Sequence, residues 1–362
     1  MPDRVHRFRA PGRVSLIGGQ VDYHEGWVVS MAIDRDVTVS ARARAEERVV
    51  ARSNDIKGIV EVAADATDDP RLVEPAWGRA VAGVLRVLAD LGRTAVGADL
   101  EITSTVPIGA GLSSSAAFEV AVARALNEVA GFSISPRELA LAAQRAEHVA
   151  TGVPCGSQDQ LTSVFGQAGH ALLIDCRTFE IEPLPLPDTI KVLVVHSGVP
   201  RILEGSPYAE RRAESEAVAT RLGVRVLRDA TPEQVEAEPR GRHVVSEMRR
   251  VCAFADALRA GDLDALGPLM LASHSSSRDD MDVSIPELDA LVDWLMNAGA
   301  LGARLTGAGF GGCVVALVPS SRAGAIASEA TAAYRARVGL EPTAWIVQAA
   351  AGAGLTDAPL AT

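Results

Sequence analysis

In the first half of this chain, short runs with β-like alternation are interleaved with longer runs of helical spacing. Trp27 to Ile33, Val37 to Ala43 and Ala98 to Thr103 predict strands. Trp77 to Leu91, Ser115 to Ala130 and Pro136 to Ala150 predict helices. The last opens with Ser135 placed to cap it and Pro136 at the first helical position, where a missing N–H costs nothing. Ala171 to Asp175 and Ile190 to His196 predict strands on either side of a Pro-rich connector, Pro183 to Pro187. A domain boundary is expected there, dividing the chain into residues 1–188 and 189–362. The second half opens with a charged helix, Tyr208 to Leu222, followed by helices over about His243 to Ala260 and Pro286 to Asn297. A Gly-rich turn then feeds a strand, Cys313 to Val318, and a helix near Arg322 to Val338 closes the pattern. Strands and helices mixed without strict βαβ alternation point to an α+β fold.

A length of 362 residues exceeds what one hydrophobic core organises, which agrees with two domains. The net charge of −11 is dispersed among arginines rather than gathered in acidic blocks. Such a surface repels polynucleotides and anionic membranes, so neither is expected as a partner. Cys155, Cys176, Cys252 and Cys313 are widely spaced and have no His at ligand spacing, which predicts reduced thiols rather than a zinc site. The charged start of the chain lacks the apolar core of a signal peptide, and Phe310 to Val318 is too short to span a bilayer. A cytoplasmic protein is expected. Among 35 basic residues, Lys57 and Lys191 are the sole lysines.

The densest local chemistry lies in VPIGAGLSSSAAFEVAVARAL, Val106 to Leu126. Gly109 and Gly111 permit backbone conformations and close approaches that a Cβ would block, and Ser113, Ser114 and Ser115 stand where they can cap the following helix. A loop feeding a helix N-terminus suits a polyphosphate; an ordinary Gly/Ser turn with a Ser cap would use the same residues. A Walker-type loop is excluded, because Lys57 precedes Gly58 and Lys191 precedes Val192, so neither lysine stands in a Gly-Lys-Ser/Thr context. Phosphate binding must therefore rest on backbone amides, hydroxyls, a metal ion and arginines. In a second turn, LTGAGFGGCVVAL (Leu305 to Leu317), four of the six residues from Gly307 to Gly312 are glycine. That is the pattern of backbone closing over a ligand.

Together APGRVSLIGGQVDYHEG (Ala10 to Gly26), PIGAGLSSSAA (Pro107 to Ala117) and LTGAGFGGC (Leu305 to Cys313) resemble the three signature motifs of the GHMP kinases. Further segments resemble the galactokinase branch: AEHVATGVPCGSQDQ (Ala146 to Gln160), GHALLIDCRT (Gly169 to Thr178), SPYAERR (Ser206 to Arg212) and SRDDMDVSIPELD (Ser277 to Asp289). The resemblance covers nearly the whole chain. It implies the two-domain GHMP kinase fold with the active site in the interdomain cleft, ATP and Mg2+ as cofactors, and phosphoryl transfer to the anomeric C1 hydroxyl of galactose or a galactose-configured sugar. A C6-modified or chain-extended aldose is the alternative substrate, and a sensor that binds sugar and ATP without turnover is the alternative to an enzyme.

Position by position, the resemblance makes Asp159 the catalytic carboxylate with Arg13 beside it, and puts Ser115 and Glu147 on the magnesium. Pro107, Gly109, Ala110, Gly111, Leu112, Ser113, Ser114 and Ser115 become the nucleotide loop, with Trp77 either stacking on the base or packing in the core. Asp22, Gly156 and Tyr208 become sugar contacts. Where galactokinases read GEHTDYNGG, this chain reads GGQVDYHEG: the sugar-binding Glu is Gly19, the His is Gln20, and His24 and Glu25 are new. In the MDQ segment the Met and its predecessor are Gln158 and Ser157. Gly19, Gln20 and His24 are thus expected to reshape the sugar pocket. Loss of the carboxylate at position 19 is expected to leave room for about a side chain, which more substrate or water would fill.

Overall fold

The computed structural model describes residues 5–200 and 207–357. The first half of the chain supplies strands β1 (His6–Ile17), β2 (Trp27–Arg44), β3 (Arg48–Ser53), β4 (Ile59–Ala63), β5 (Gly97–Ser104), β6 (His170–Asp175) and β7 (Ile181–Pro185) to one large sheet. A second sheet holds β8 (Ile190–His196), β9 (Gly302–Thr306), β10 (Cys313–Pro319) and β11 (Thr343–Val347), after which the chain returns to add β12 (Gly354–Leu355) beside β1. The large sheet runs β12-β1-β2-β5-β3-β4, with β6 on β2 and β7 outside β6; the small one runs β11-β8-β10-β9. Every pairing is antiparallel except β3 with β5.

Three helices, α1 (Gly78–Asp90), α2 (Ser114–Ala130) and α3 (Pro136–Thr151), form a layer on the large sheet, and the short α4 (Gln158–Phe165) follows them. Ala117 and Ala121 of α2 are wholly buried with Leu16 and Leu100 of the sheet, small side chains that bring the helix close to the strands. The second half contributes α5 (Tyr208–Leu222), α6 (Pro239–Ala260), α7 (Leu263–Asp279), α8 (Pro286–Asn297) and α9 (Ala323–Val338). Residues Cys313 to Val318 of β10 are all buried because both faces of the small sheet are covered: Val314 and Ala316 pack with α8 and α9, Val315 and Leu317 with the main core. No helix among the described residues is long and apolar enough to cross a membrane.

The periodicity located β2, β5, β6, β8, β10 and the helices α1, α2, α3, α5, α6, α8 and α9, but not β1, β3, β4, β7, β9, β11, β12, α4 or α7; several of the differences have a local physical cause. The expected strands Trp27 to Ile33 and Val37 to Ala43 are one continuous β2, because β1 pairs along both parts and carries the polar stretch Asp34 to Asp36 through in extended form. Part of the expected connector Pro183 to Pro187 is strand: Pro183 and Pro185 lie in β7, an edge strand paired only with β6, where a missing N–H breaks no ladder. Helix α7 was not expected, since Pro268 sits inside it and serines fill its last turns. Ser135 caps α3 as read, in a reciprocal capping box: its Oγ accepts from the Glu138 amide, and Glu138 accepts from the Ser135 amide.

The two sheets meet where β1 crosses the end of β9. The Ser15 amide donates to Thr306 Oγ1 at 3.3 Å, and Thr306 Oγ1 donates to the Ser15 carbonyl at 3.1 Å. A cleft opens along this seam.

Candidate active site

At Gly12, β1 passes so close to the turn before α2 that a Cβ would stand 2.6 Å from the Leu112 carbonyl oxygen. The contact is used: the Arg13 amide donates to that same carbonyl at 3.0 Å. The buried Arg13 side chain then spans the cleft floor. Its Nη1 donates to the Gly111 carbonyl at 2.9 Å, while Nε and Nη2 each donate to one oxygen of Asp159 at 2.6 Å. Ser113 donates its hydroxyl to Asp159 Oδ2 as well. Asp159 lies in the first turn of α4, where a helix N-terminus favours a carboxylate. Three of its roughly four acceptor positions are filled, and one remains for a hydroxyl in the cleft.

The loop itself winds through left-handed conformations at Gly109 (φ 73°), Gly111 (φ 80°) and Ser113 (φ 59°). Ala110 and Leu112 turn their side chains into the core, leaving backbone to face outward with Ile108 exposed. The expected serine cap does not form. Ser113 occupies the N-cap position but makes no side-chain cap bond, because its hydroxyl is committed to Asp159. The first amides of α2, from Ser114 and Ser115 onward, are therefore left without a cap at the cleft.

Beside this loop, Ser115 Oγ donates to Glu147 Oε1 at 3.1 Å, tying α2 to α3. Glu147 Oε2 accepts from Gln160 at 2.8 Å and from the Cys155 thiol at 3.3 Å. Burial, with Asp159 nearby, pushes the Glu147 carboxyl above its ordinary value. One turn further along α2, Glu119 is buried completely; burial and the neighbouring Glu147 raise it far above the usual carboxylate range. Glu119 was not anticipated. Its signal was an acid flanked on both sides by apolar residues, Ala116 to Phe118 before it and Val120 to Ala123 after it.

A second wall carries Asp22, in a single 3₁₀ turn, together with Gly156 and Tyr208. Asp22 lies against Gly156 so tightly that a Cβ there would be 1.8 Å from its Oδ2. Burial first, then the charge of Asp159, pushes the Asp22 carboxyl up to about 6, although Arg212 pulls the other way. Arg212 also stacks over Tyr23 at 4.9 Å, and Tyr23 meets Tyr208 edge-on at 6.4 Å. Ser206, at the head of the SPYAERR segment, lies outside the described residues.

The opposite wall is made by Gly19 and Gln20 with Gly307 and Ala308 of the second Gly-rich turn. Gln20 donates to the Ala308 carbonyl at 3.2 Å and accepts from the Tyr23 hydroxyl at 3.1 Å. Not all of that turn's glycines face the cleft: Gly309 and Gly311 press their backbone against Val283 and Val199.

Several expectations are corrected here. His24 does not reach the cleft; it is buried between the 3₁₀ turn and α5, with Nε2 2.8 Å from Ser215 Oγ, and burial lowers its pKa to about 4. Glu25 turns outward to pair with Arg225 and Arg177. The room expected beside Gly19 is filled, because Arg304 Nη2 stands 2.6 Å from where a Gly19 Cβ would be. Behind that wall lies Glu247 of α6, which sequence reasoning also missed. It accepts from the Gly18 and Gly19 amides at 2.9 and 3.3 Å and from Ser273 at 2.5 Å. Burial would push Glu247 up, but Arg304 and Arg250 together hold it down at about 2. Trp77 is half-buried, donates to the Lys57 carbonyl at 3.2 Å and meets Phe118 of α2 edge-on; it is not among the residues lining the cleft described above.

Comparison with known proteins accords with this arrangement. The GHMP kinases N terminal domain matches residues 79–167, the GHMP kinases C terminal domain residues 254–336, and the galactokinase galactose-binding signature residues 2–43. A galactokinase of Roseiflexus sp. (strain RS-1) is 44% identical, covering 96% of this chain and 92% of the relative. The chain belongs to the galactokinase family of GHMP kinases. It is an ATP-using sugar kinase with the family's N- and C-terminal domains. The crystal structure of Lactococcus lactis galactokinase complexed with galactose superposes with a TM-score of 0.92 at 32% identity, covering 98% of this chain and 95% of that one. The mevalonate kinase of Methanococcus jannaschii, at 18% identity over 97% and 100% of the two chains, shares the fold with a TM-score of 0.70.

Proposed function

We propose that this galactokinase-family enzyme transfers the γ-phosphoryl of ATP to the C1 hydroxyl of a galactose-configured sugar, with the residues described above in the following roles. The observation that carries the reading is Asp159, held at both oxygens by Arg13 and Ser113, with an acceptor position free toward the cleft. An acceptor hydroxyl there meets a carboxylate able to orient it and take its proton. The uncapped α2 N-terminus and the Pro107–Ser115 backbone face the phosphates, supplying fixed dipoles where charge develops on the transferred group. Asp22, Tyr208 and the backbone at Gly156 hold the ring. Galactose is supported by the relative named galactokinase and by the galactose complex of the similar Lactococcus protein.

Magnesium fits the donor set. Ser115 and Glu147 present hard oxygens on adjacent helices at the mouth of the phosphate loop. Among the described residues no three His, Cys, Asp or Glu gather at a metal-binding distance. A magnesium ion that draws its other ligands from phosphate and water needs no such cage, and when bound it offsets phosphate charge. The division into residues 1–188 and 189–362 is supported by the chain leaving the large sheet at Pro185 and entering the small one at Ile190. Release of ADP with a panel of aldoses, and a C1 phosphate seen by phosphorus NMR, tests the reading. Sugar and ATP binding with no turnover on any aldose would identify a sensor instead.

A further inference from the structure

Asp22, Gly156 and Tyr208 reach the cleft from three separate segments: the 3₁₀ turn after β1, the loop between α3 and α4, and the first turn of α5. No sheet fixes any of the three, and residues 152–157 belong to neither strand nor helix. One side chain touches all three segments. Arg212 stands four residues after Tyr208, on the same face of α5. Its Nη1 donates to the Pro154 carbonyl, two residues before Gly156. Its guanidinium lies over the ring of Tyr23, the neighbour of Asp22, 4.9 Å from the centroid. That same ring meets Tyr208 edge-on at 6.4 Å.

On its outer edge, Arg212 Nε donates to Glu216 Oε1 at 2.7 Å. Such an i,i+4 pair on an exposed helix face does little by itself. Here the Arg212 side chain is 20% exposed against 49% for Glu216, so the guanidinium is turned inward. The backbone joins in: the Arg212 carbonyl accepts from Ser215 Oγ at 2.7 Å, which leaves that hydroxyl to accept from His24 Nε2 at 2.8 Å. The turn that carries Asp22 thus meets α5 at Tyr23 and again at His24. On the loop, the Cys155 carbonyl accepts from Gln144 and His148 of α3, which hold the loop to its own half of the chain. The bond from Arg212 joins it to the other half. The remaining arginines of α5 point elsewhere: Arg211 pairs with Asp282 at 2.7 Å and Arg221 with Glu238 at 2.6 Å.

We infer that Arg212 is the positioning residue of the sugar wall, holding the Asp22 turn, the Gly156 loop and Tyr208 in one arrangement. The inference rests on the sugar-binding roles given above to those three residues and adds the side chain that brings them together. A guanidinium does this where an ammonium cannot: its flat face covers the Tyr23 ring while its edges donate to Pro154 and Glu216. Arg212 takes no part in the phosphoryl step, because Asp159, Arg13, Ser113 and the Gly111 carbonyl hold one another without it.

The test uses the full chain and measures ADP release while the sugar and ATP are varied in turn, the sugar being the aldose turned over fastest, galactose on the reading above. Arg212→Met keeps the apolar stem and removes the donors and the flat face. It is expected to raise the sugar KM by roughly tenfold or more, the scale of one charge-assisted hydrogen bond. The ATP KM and kcat are expected to stay within about threefold, the range left when no charge-assisted bond to that substrate is lost. Arg212→Lys keeps the charge and one donor and is expected to recover part of the sugar affinity; it also carries the test if Arg212→Met fails to fold. Arg221→Met, which breaks an ion pair of the same helix away from the cleft, is expected to leave the sugar KM unchanged. An unaltered sugar KM in the Arg212 variants, a rise shared equally by the ATP KM, or an equal rise in Arg221→Met would overturn this inference alone. Absence of ADP from the unaltered chain with every aldose would overturn the kinase reading itself.

Discussion

Gly156 and Asp22 are a matched pair: an ideal Cβ on Gly156 would lie 1.8 Å from Asp22 Oδ2, so the carboxylate occupies the space a side chain would need. Gly156→Ala must therefore displace Asp22 from the cleft. The expected result is a rise in the sugar KM of roughly ten- to a hundredfold, the loss of one charge-assisted hydrogen bond. Nucleotide affinity should be unchanged, since the loop before α2 is untouched. Steady-state kinetics with each substrate varied in turn checks both statements, and an unchanged sugar KM would refute the pairing.

Asp22 also predicts a pH dependence. Burial, reinforced by Asp159, holds its proton up to about pH 6, and a protonated carboxyl loses half its acceptor capacity toward sugar hydroxyls. Sugar affinity should fall as pH drops through about 6, and Asp22→Asn should remove the inflection while weakening binding throughout. The stability effect has the opposite sign. The folded protein keeps this proton to a higher pH than the unfolded chain, whose value is 3.8, so this group's contribution is full below 3.8 and is lost as pH rises through about 6. Titration calorimetry of the sugar from pH 5 to 8 reads the binding limb.

Removing the charge of Asp159 should separate chemistry from nucleotide binding. Asp159→Asn keeps the shape but replaces one acceptor oxygen with an NH2 facing Arg13 and Ser113. Turnover should fall by at least about a hundredfold, the usual scale for a general base or positioning carboxylate. ATP-analogue affinity should change by less than about threefold, because the amides of the loop remain. A variant with most of its turnover intact would move the catalytic role elsewhere.

The phosphate loop should need its glycines and no lysine. Lys57 and Lys191 lie outside the cleft, so replacing both with Arg should leave activity in place. Gly111→Val, by contrast, puts a β-branched side chain at φ 80° beside the carbonyl that Arg13 holds. Loss of ATP-analogue binding in a folded Gly111→Val protein, monitored by calorimetry alongside circular dichroism, is the expected outcome; normal affinity would refute the loop's role.

The amino-acid sequence by itself determined what local chemistry can encode. Helix α3 was legible from Ser135 and Pro136 because a cap and its first helical position are local to one turn, and the structure added the reciprocal bond from Glu138. Strand β8 was legible because an apolar run bounded by turn residues has few other conformations. The phosphate loop and Asp159 were legible as motifs, since their glycines, serines and acid lie within short segments. Tertiary structure decided the rest. His24 and Gln20 are four positions apart in a stretch that departs from the family pattern, yet one turns into a buried contact with Ser215 and the other faces the cleft. Their directions follow from the 3₁₀ turn between them and from α5, which arrives nearly two hundred residues later. Arg304, Glu247 and Gly19 come from β9, α6 and the end of β1, and no periodicity within any one of them signals the others. Whether a missing side chain leaves a hole depends on what distant chain segments bring to its edge, and here they bring a buried, unpaired guanidinium.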